Sequence, residues 1–485
     1  MSNAPNRARS PRPGIEVIWS RRSVLRGGSA AIIAGAAPRS AWGKTEVDVA
    51  IIGAGLAGLY AAHRLEAAGL KCVIIEGEKR VGGRLHTLDD LPGKPDAGGI
   101  QVGRGYRLLR AIADDLSVTL DEGPGSGAGA AESRTALFNI SGQTVAAADW
   151  PTSPANRLAD AEKAMLPLAL GFTYGAKLPR LNSTTDWMTV DPALDISYAQ
   201  ALRQAGASNE AMRLIEANMN GNTLAGMSQL SMARAAAIFR AGPGPTATIR
   251  GGSQRLPEAM ARILKSPIRL GQIVSAIREE ADGVTIQTSK GSIRASRAIC
   301  TIPFAAFRHI PVEGYFDRET STLIPSLPYT RASFAYLSAS EPFWKSDGLP
   351  ETLWSDDPFL GRVFVLGDHP PMLKVWTVGA GADLLDRTSP SLAATEIIAR
   401  IENARPSAKG KLKMERLFSW QKSPMARGIY HHIGTGQAAT LATASKSNGR
   451  RLFFAGEHLA RENSGMEGAL ESGNRVARMI AERAA

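Results

Sequence analysis

From Val47 to Ile52 the chain is apolar but for Asp48, and Leu56 to Ala68 is then rich in Ala and Leu before Gly69. A second short apolar run, Cys72-Val73-Ile74-Ile75, follows. The first run predicts a parallel strand buried on both faces, the Ala/Leu segment a helix closed by glycine, and the second run another strand. Further along, Val284-Thr285-Ile286-Gln287-Thr288 alternates apolar and polar positions, and with Ser289-Lys290-Gly291 and Ser292-Ile293-Arg294 it reads as a hairpin. Residues 154–240 carry helical periodicity, for example Tyr198 to Gln204 and Glu210 to Met219, and Met212, Met219, Met227 and Met232 there are expected to fill core. Residues 330–338 and 373–378 look strand-like and are expected to form a sheet flooring a cavity. Gly123 to Gly129 and Gly242 to Pro245 read as loops. No internal repeat is visible.

The junction between the first strand and helix is Gly53-Ala54-Gly55-Leu56-Ala57-Gly58. Gly53 permits the tight turn, Gly55 lets backbone approach a pyrophosphate, and Gly58 lets helix and strand pack closely. The helix N-terminus attracts phosphate charge. Glu76, 18 residues past Gly58, ends the second strand. A carboxylate there accepts hydrogen bonds from ribose hydroxyls and repels a 2′-phosphate, which disfavours an NADP-type ligand.

Two further motifs follow this unit: Arg80-Val81-Gly82-Gly83-Arg84 and Asp96-Ala97-Gly98-Gly99. A third block stands at the other end of the sequence: Phe454-Ala455-Gly456-Glu457, Met466-Glu467-Gly468-Ala469 and Ser472-Gly473. Together they resemble the flavin-dependent amine oxidase family, which includes monoamine, polyamine and L-amino-acid oxidases. Gly251-Gly252-Ser253, Thr301-Ile302-Pro303, Glu341-Pro342-Phe343-Trp344, and Trp420 with Gly428-Ile429-Tyr430 extend the likeness over most of residues 46–485. It is weak between about Glu122 and Arg250. The resemblance implies an α/β fold, with a Rossmann-like FAD-binding lobe (46–104, 246–320 and 445–485) and an α+β substrate-binding lobe (105–245 and 321–444).

The resemblance also implies roles. Gly53, Gly55, Gly58 and Glu76 match residues that bind the ADP part of FAD, and Gly83 and Arg84 a double-glycine motif beside the pyrophosphate. Val274 matches a position whose backbone holds the adenine. Gly456 and Glu457 match ribityl and pyrophosphate contacts. Met466 opens a helix aimed at the flavin pyrimidine oxygen, where a helix N-terminus stabilises negative charge. Trp420 matches the aromatic packed beside the isoalloxazine ring, and Tyr430 one wall of an aromatic cage.

Three positions depart from the family pattern. Phe334 stands where a lysine usually holds a water against flavin N5, and a phenyl ring supplies neither charge nor hydrogen bond. Gly465 precedes Met466 where a second aromatic wall is usual, which leaves Tyr430 as the single wall. Ile429 replaces the cysteine that links flavin covalently in monoamine oxidases, so FAD is expected to be non-covalent. The stretch Gly99-Ile100-Gln101 also lacks the arginine with which L-amino-acid oxidases hold a substrate carboxylate.

Composition is that of an ordinary globular chain, 44% apolar and 21% charged, and 485 residues suffice for two lobes. Half of the net charge of +12 lies in residues 1–43, where seven Arg face one Glu. No basic cluster is interleaved with aromatics, so nucleic acid is not an expected partner. Cys72 and Cys300 read as core residues. The seven His lack metal-ligand spacing, so no metal is expected, and His431 and His432 are expected as surface or loop histidines near Tyr430, with lining of the substrate entrance as the alternative.

Within the first 43 residues, Ser20-Arg21-Arg22-Ser23-Val24-Leu25-Arg26 resembles a twin-arginine export signal, followed by a moderately apolar Gly27 to Ala37. Eleven residues rise only about 16 Å as a helix, too short for a bilayer core of about 30 Å. The mature protein is therefore expected to be soluble and periplasmic or secreted, after passing the twin-arginine export machinery folded and carrying FAD.

The expected function is FAD-dependent oxidation of a small-molecule amine by hydride transfer to flavin N5, giving an imine that water hydrolyses to a carbonyl product. Tyr430, Trp420 and Phe334 would surround the reacting centre. Oxygen or a periplasmic carrier would take the electrons, and a homodimer stays among the candidate assemblies. The alternatives are an L-amino-acid oxidase or dehydrogenase, a non-catalytic FAD scaffold with a decayed site, and a desaturase or porphyrinogen-type oxidase. A NAD-dependent dehydrogenase would leave the C-terminal block unexplained.

Overall fold

The computed structural model describes residues 15–16, 47–123, 136–242, 245–447 and 449–484. The export signal expected in residues 1–43 lies outside them but for Ile15 and Glu16, as do most of the Gly123–Gly129 loop and the centre of Gly242–Pro245.

Val47–Ile52 sits inside an eight-stranded sheet. It pairs in parallel with Cys72–Ile75 on one side and with the second half of Gly291–Cys300 on the other. Val49 and Ile51 pack among residues of the helices Leu56–Ala67 and Gly465–Glu482, while Ala50 and Ile52 face a cluster holding Val284, Ile286, Phe304 and Leu441. Burial on both faces is why this strand shows no polar alternation. Gly291–Cys300 also carries the expected hairpin, antiparallel to Val284–Thr288, and pairs in parallel with Leu452–Phe454. The sheet thus draws strands from three separated stretches of sequence.

A second sheet of seven strands runs Leu412–Ser419, Ala332–Ala339, Pro371–Val378, Arg362–Asp368, Leu353–Ser355, Leu137–Ile140, Gln143–Ala146. The strand-like patterns at 330–338 and 373–378 are strands of one sheet, as expected, and they pair antiparallel. The helices Tyr198–Gln204 and Asn209–Asn218 fall where the periodicity places them. Met212, Met219 and Met227 are buried among Leu, Ile and Trp side chains, with Met232 at the edge of the same cluster. Cys72 and Cys300 are buried and free. No helix among the described residues is long and apolar enough to cross a membrane.

The long helix Gly465–Glu482 brings residues far along the sequence back onto Leu56–Ala67. Gly473 makes this approach possible: a methyl group on it would lie 2.3 Å from the carbonyl oxygen of Ala57. Gly473→Ala should push the two helices apart, at a cost of about 1–3 kcal/mol typical of overpacking. Thermal unfolding and flavin content of the purified variant measure this; unchanged values for both would show that the helices accommodate the methyl.

Candidate active site

The glycine turn is built as the sequence requires. Gly53 has φ +109°, a backbone region that L side chains rarely adopt, and a methyl on Gly58 would stand 2.0 Å from Gly53 O. Gly55 is the N-cap of Leu56–Ala67 and forms an isolated bridge with Gly82 of the double-glycine motif, while Gly82 N–H donates to Ala54 O at 2.8 Å. A methyl on Gly55 would meet the backbone of the double-glycine motif, Gly82 O at 3.9 Å and Gly83 Cα at 4.0 Å, so the two glycine segments lie in contact. Gly83, at φ +55°, completes the turn.

The helix that begins after Gly55 and the helix Gly465–Glu482 that packs on it both have N-termini without a side-chain cap. Ser197, Ser208, Ser228, Asp317 and Ser389 do cap other helices of the same protein. The first amides of Leu56–Ala67 and Gly465–Glu482 are therefore available to a ligand with acceptor oxygens. Met466 occupies the first turn of the second helix, and its Sδ lies 3.8 Å from the space beside Gly99. The adjacent Glu467 serves structure: its carboxylate accepts the amides of Leu108 and Leu109 at 2.8 and 2.9 Å and so caps the helix Arg107–Asp115.

Glu76 is buried, and its carboxylate accepts the amides of Ala54 and Glu78, both at 2.8 Å. Burial raises its pKa while those amide bonds oppose the rise. The side chain thus ties the end of the second strand to the glycine turn. Gln272 N–H donates to Glu76 O at 2.8 Å, which carries the chain past this edge and into Val274–Glu279, with Val274 buried at its start.

At the other border stands a set of charged groups. Arg84 Nη1 donates to the backbone oxygen of Ile429 at 2.5 Å and lies 3.3 Å from Glu457 Oε2. Glu457 is buried beside Gly456 (φ +140°), and its Oε1 meets His431 Nδ1 at 2.7 Å. Burial alone would push the carboxyl pKa up, but the neighbouring His431 and Arg84 hold it down at about 2. His431 and His432 lie outside any helix or strand, as the loop expectation has it, but not at the surface: both are buried. The bridge Tyr329↔His431 carries this segment under the cover of Tyr329, and His432 is lowered to about 4, first by burial and then by His431. His458 is buried too, lowered by burial to about 3, and neither ring nitrogen finds a partner among the described residues. An FAD fits the residues present: Gly55 lets backbone be approached closely, the helix that follows it has an N-terminus without a side-chain cap, and the buried imidazole of His458 beside Gly456 lacks a partner among the described residues.

The third border is aromatic. Trp420 is buried and its indole N–H donates to Ala97 O at 2.6 Å, locking the ring onto the Asp96–Gly99 segment. Tyr336 Oη and Lys374 Nζ donate to the preceding carbonyl, that of Asp96, at 2.9 and 3.0 Å. Phe334 brings no charge itself, as expected from its chemistry. The Lys374 amine, from the neighbouring strand, lies 4.2 Å from the centre of its ring. Tyr430 Oη approaches Asn220 O at 3.5 Å, and burial raises its pKa against the opposing charge of Arg362, so it is a neutral donor. The space a side chain on Gly465 would need is taken by the Tyr106 hydroxyl, 2.7 Å away. This is the physical reason that no second aromatic wall stands there.

Sequence reasoning missed Lys374, yet the alternation Met372-Lys374-Trp376 puts a charge on an inward-facing row. Burial lowers its pKa from 10.5 to about 7, with Asp96 pulling the other way. Between these values the unfolded chain holds a proton that the folded chain has released, so stability rises with pH across this window. Urea unfolding of wild type and Lys374→Met from pH 7 to 10 should show the difference shifting toward wild type as pH rises; a constant difference would mean that Lys374 titrates normally.

With this geometry in view, comparisons with known proteins become informative. Residues 56–481 match the family of flavin containing amine oxidoreductases. The flavin-dependent L-tryptophan oxidase RebO of Lentzea aerocolonigenes is 24% identical over 485 residues, covering 89% of this chain and 97% of the relative. The lysine-specific histone demethylase 1 homolog 2 of Arabidopsis thaliana is 25% identical over 469 residues, covering 90% of this chain, which spans 58% of that protein's length. Among solved structures, cyclohexylamine oxidase from Brevibacterium oxydans IH-35A superposes with a TM-score of 0.74 at 22% identity, over 90% of this chain and 99% of its own, which shows the shared fold.

Proposed function

The chain belongs to the flavin-containing amine oxidoreductase family, and on that premise we propose an FAD-dependent enzyme that oxidises the C–N bond of a small amine to an imine, released as a carbonyl compound after hydrolysis. The observation that carries this is the convergence of the Gly53–Gly58 turn, the Arg84–Glu457 pair and the Met466 helix terminus beside Trp420, Phe334 and Tyr430. When bound, FAD supplies the acceptor for the hydride that leaves the carbon bearing nitrogen.

The residues around it have separable tasks. The amides behind Gly55 and the Arg84 guanidinium would hold the pyrophosphate. The N-terminus of Gly465–Glu482 would stabilise negative charge on the ring. Trp420, fixed by Ala97 O, would set the ring's edge. Tyr430 would orient the amine, and the aromatic face around Phe334 would exclude water. Ile429 offers only its carbonyl, to Arg84, which supports non-covalent binding. With Phe334 uncharged and the Lys374 amine turned to Asp96 O, we propose a carrier such as a cytochrome or quinone as electron acceptor in place of oxygen.

Purified protein should be yellow and bleach when an amine is added without air, and Tyr430→Ala should raise the half-saturating amine concentration roughly tenfold, or about 1.4 kcal/mol. A broad amine panel that leaves the flavin oxidised would overturn the activity. Reoxidation by air within milliseconds in stopped flow would overturn the acceptor.

The export reading stands on the sequence alone. We propose passage through the twin-arginine route to the periplasm, which suits an enzyme that must acquire FAD before leaving the cytoplasm. Arg21→Lys with Arg22→Lys should retain the protein in the cytoplasm on cell fractionation; unchanged periplasmic recovery would exclude that route.

A further inference from the structure

A buried cation stands at the entrance to the helix Gly465–Glu482. Arg234, on the helix Gln229–Ala241, is 5% exposed. Its Nη2 donates to Ala460 O at 2.9 Å and to Asn463 O at 2.7 Å, and Asn463 directly precedes Ser464, the N-cap residue of Gly465–Glu482. The guanidinium carbon lies 4.6 Å from the centre of the Trp187 ring, whose indole N–H donates to Arg461 O at 2.9 Å. Two side chains from elsewhere in the sequence thus hold three carbonyls of the loop that leads into the helix.

Among the described residues no carboxylate forms an ion pair with Arg234, and its Nε has no partner. Glu457 and Glu471 are the carboxylates near enough to feel its charge. Both are committed elsewhere, Glu457 to Arg84 and His431, and Glu471 to the amides of Arg461, Glu462 and Asn463. Burial lowers the pKa of Arg234 to about 10, against the pull of those two carboxylates, so it stays charged at neutral pH. A helix N-terminus is itself the positive end of a dipole, and a cation beside it is unfavourable. A buried charge without a counter-ion is more so. The two together leave a region of positive potential that the chain's own carboxylates do not neutralise.

We propose that Arg234 acts with the N-terminus of Gly465–Glu482 on the bound flavin, raising its reduction potential by stabilising the negative charge that reduction places on the ring. Hydride transfer takes two electrons and one hydrogen from the amine carbon, leaves an iminium cation and adds one negative charge to the acceptor ring. A fixed cation in a site closed to water favours that charge. Arg234 does this through the loop and through space, without touching the reacting atoms, so it is a positioning residue.

The inference rests on the reading that FAD binds with its ring at this helix terminus. Holoenzyme is reduced slowly, without air and without amine, beside a redox dye of known potential, and the two absorbances give the midpoint potential. Wild type should lie above free FAD at the same pH. Arg234→Gln, which still donates a hydrogen bond but carries no charge, should lower the midpoint by about 30 mV or more, a tenfold change in a two-electron equilibrium. Arg234→Lys should keep most of the wild-type value, and so should Trp187→Phe, which loosens the loop and leaves the charge. A midpoint unmoved in Arg234→Gln, or lowered equally in Arg234→Lys and Trp187→Phe, makes Arg234 a clasp on the loop and overturns the inference. If Arg234→Gln loses flavin, a wild-type midpoint below that of free FAD overturns it. Because no amine is present, protein that holds FAD and oxidises no amine still tests this inference alone. Protein that takes up no FAD overturns both this inference and the proposed function.

Discussion

The ion pair between Arg84 and Glu457, with His431 on the far side of the carboxylate, is the interaction on which the site depends. It joins three stretches that are remote in sequence: the double-glycine motif, the segment running through Ile429, and the strand-end turn at Gly456. A buried carboxylate is costly unless its charge is met and its oxygens are bonded. Here each oxygen has a partner, one on Arg84 and one on His431. Removing either partner would leave one buried carboxylate oxygen without a bond, so the arrangement favours one geometry for the three stretches it joins.

That geometry explains the division of labour between the sheets. The eight-stranded sheet ends its central strands at Ile52, Ile75, Cys300 and Phe454, all at one edge, and the glycine turn, Glu76, Thr301 and Gly456 follow immediately. Ligands bind at the carboxyl ends of parallel strands because the turns there expose helix N-termini. The second sheet supplies no phosphate chemistry. It contributes an aromatic face, and Tyr336 and Lys374 from it, with Trp420 just past its first strand, hydrogen-bond to the backbone of the Asp96–Gly99 segment.

Much of the cofactor side was legible in the sequence because its requirements are local. Glycines at 53, 55 and 58, an acid at 76, and a strand before and after are read from spacing, and backbone geometry enforces them. The aromatic positions Trp420 and Tyr430 were legible only through family resemblance. The burial of His431 was not legible, since adjacent histidines in a glycine-containing loop read as exposed; only their contact with Tyr329 and Glu457, made across the fold, buries them. Lys374 was missed for a related reason. A cation in a strand reads as solvent-facing until the register of the neighbouring strands places rings on both sides of it.

The reliance of the first sheet on Leu452–Phe454, and of the glycine turn on the helix that Gly473 lets approach, has a temporal consequence. On the ribosome, residues 47–76 emerge and can collapse long before their eventual neighbours exist. The binding cleft cannot close around a prosthetic group until Leu452–Phe454 and Gly465–Glu482 have been translated. Flavin capture therefore waits on long-range closure between residues about four hundred positions apart, and the early nascent chain cannot accomplish it alone.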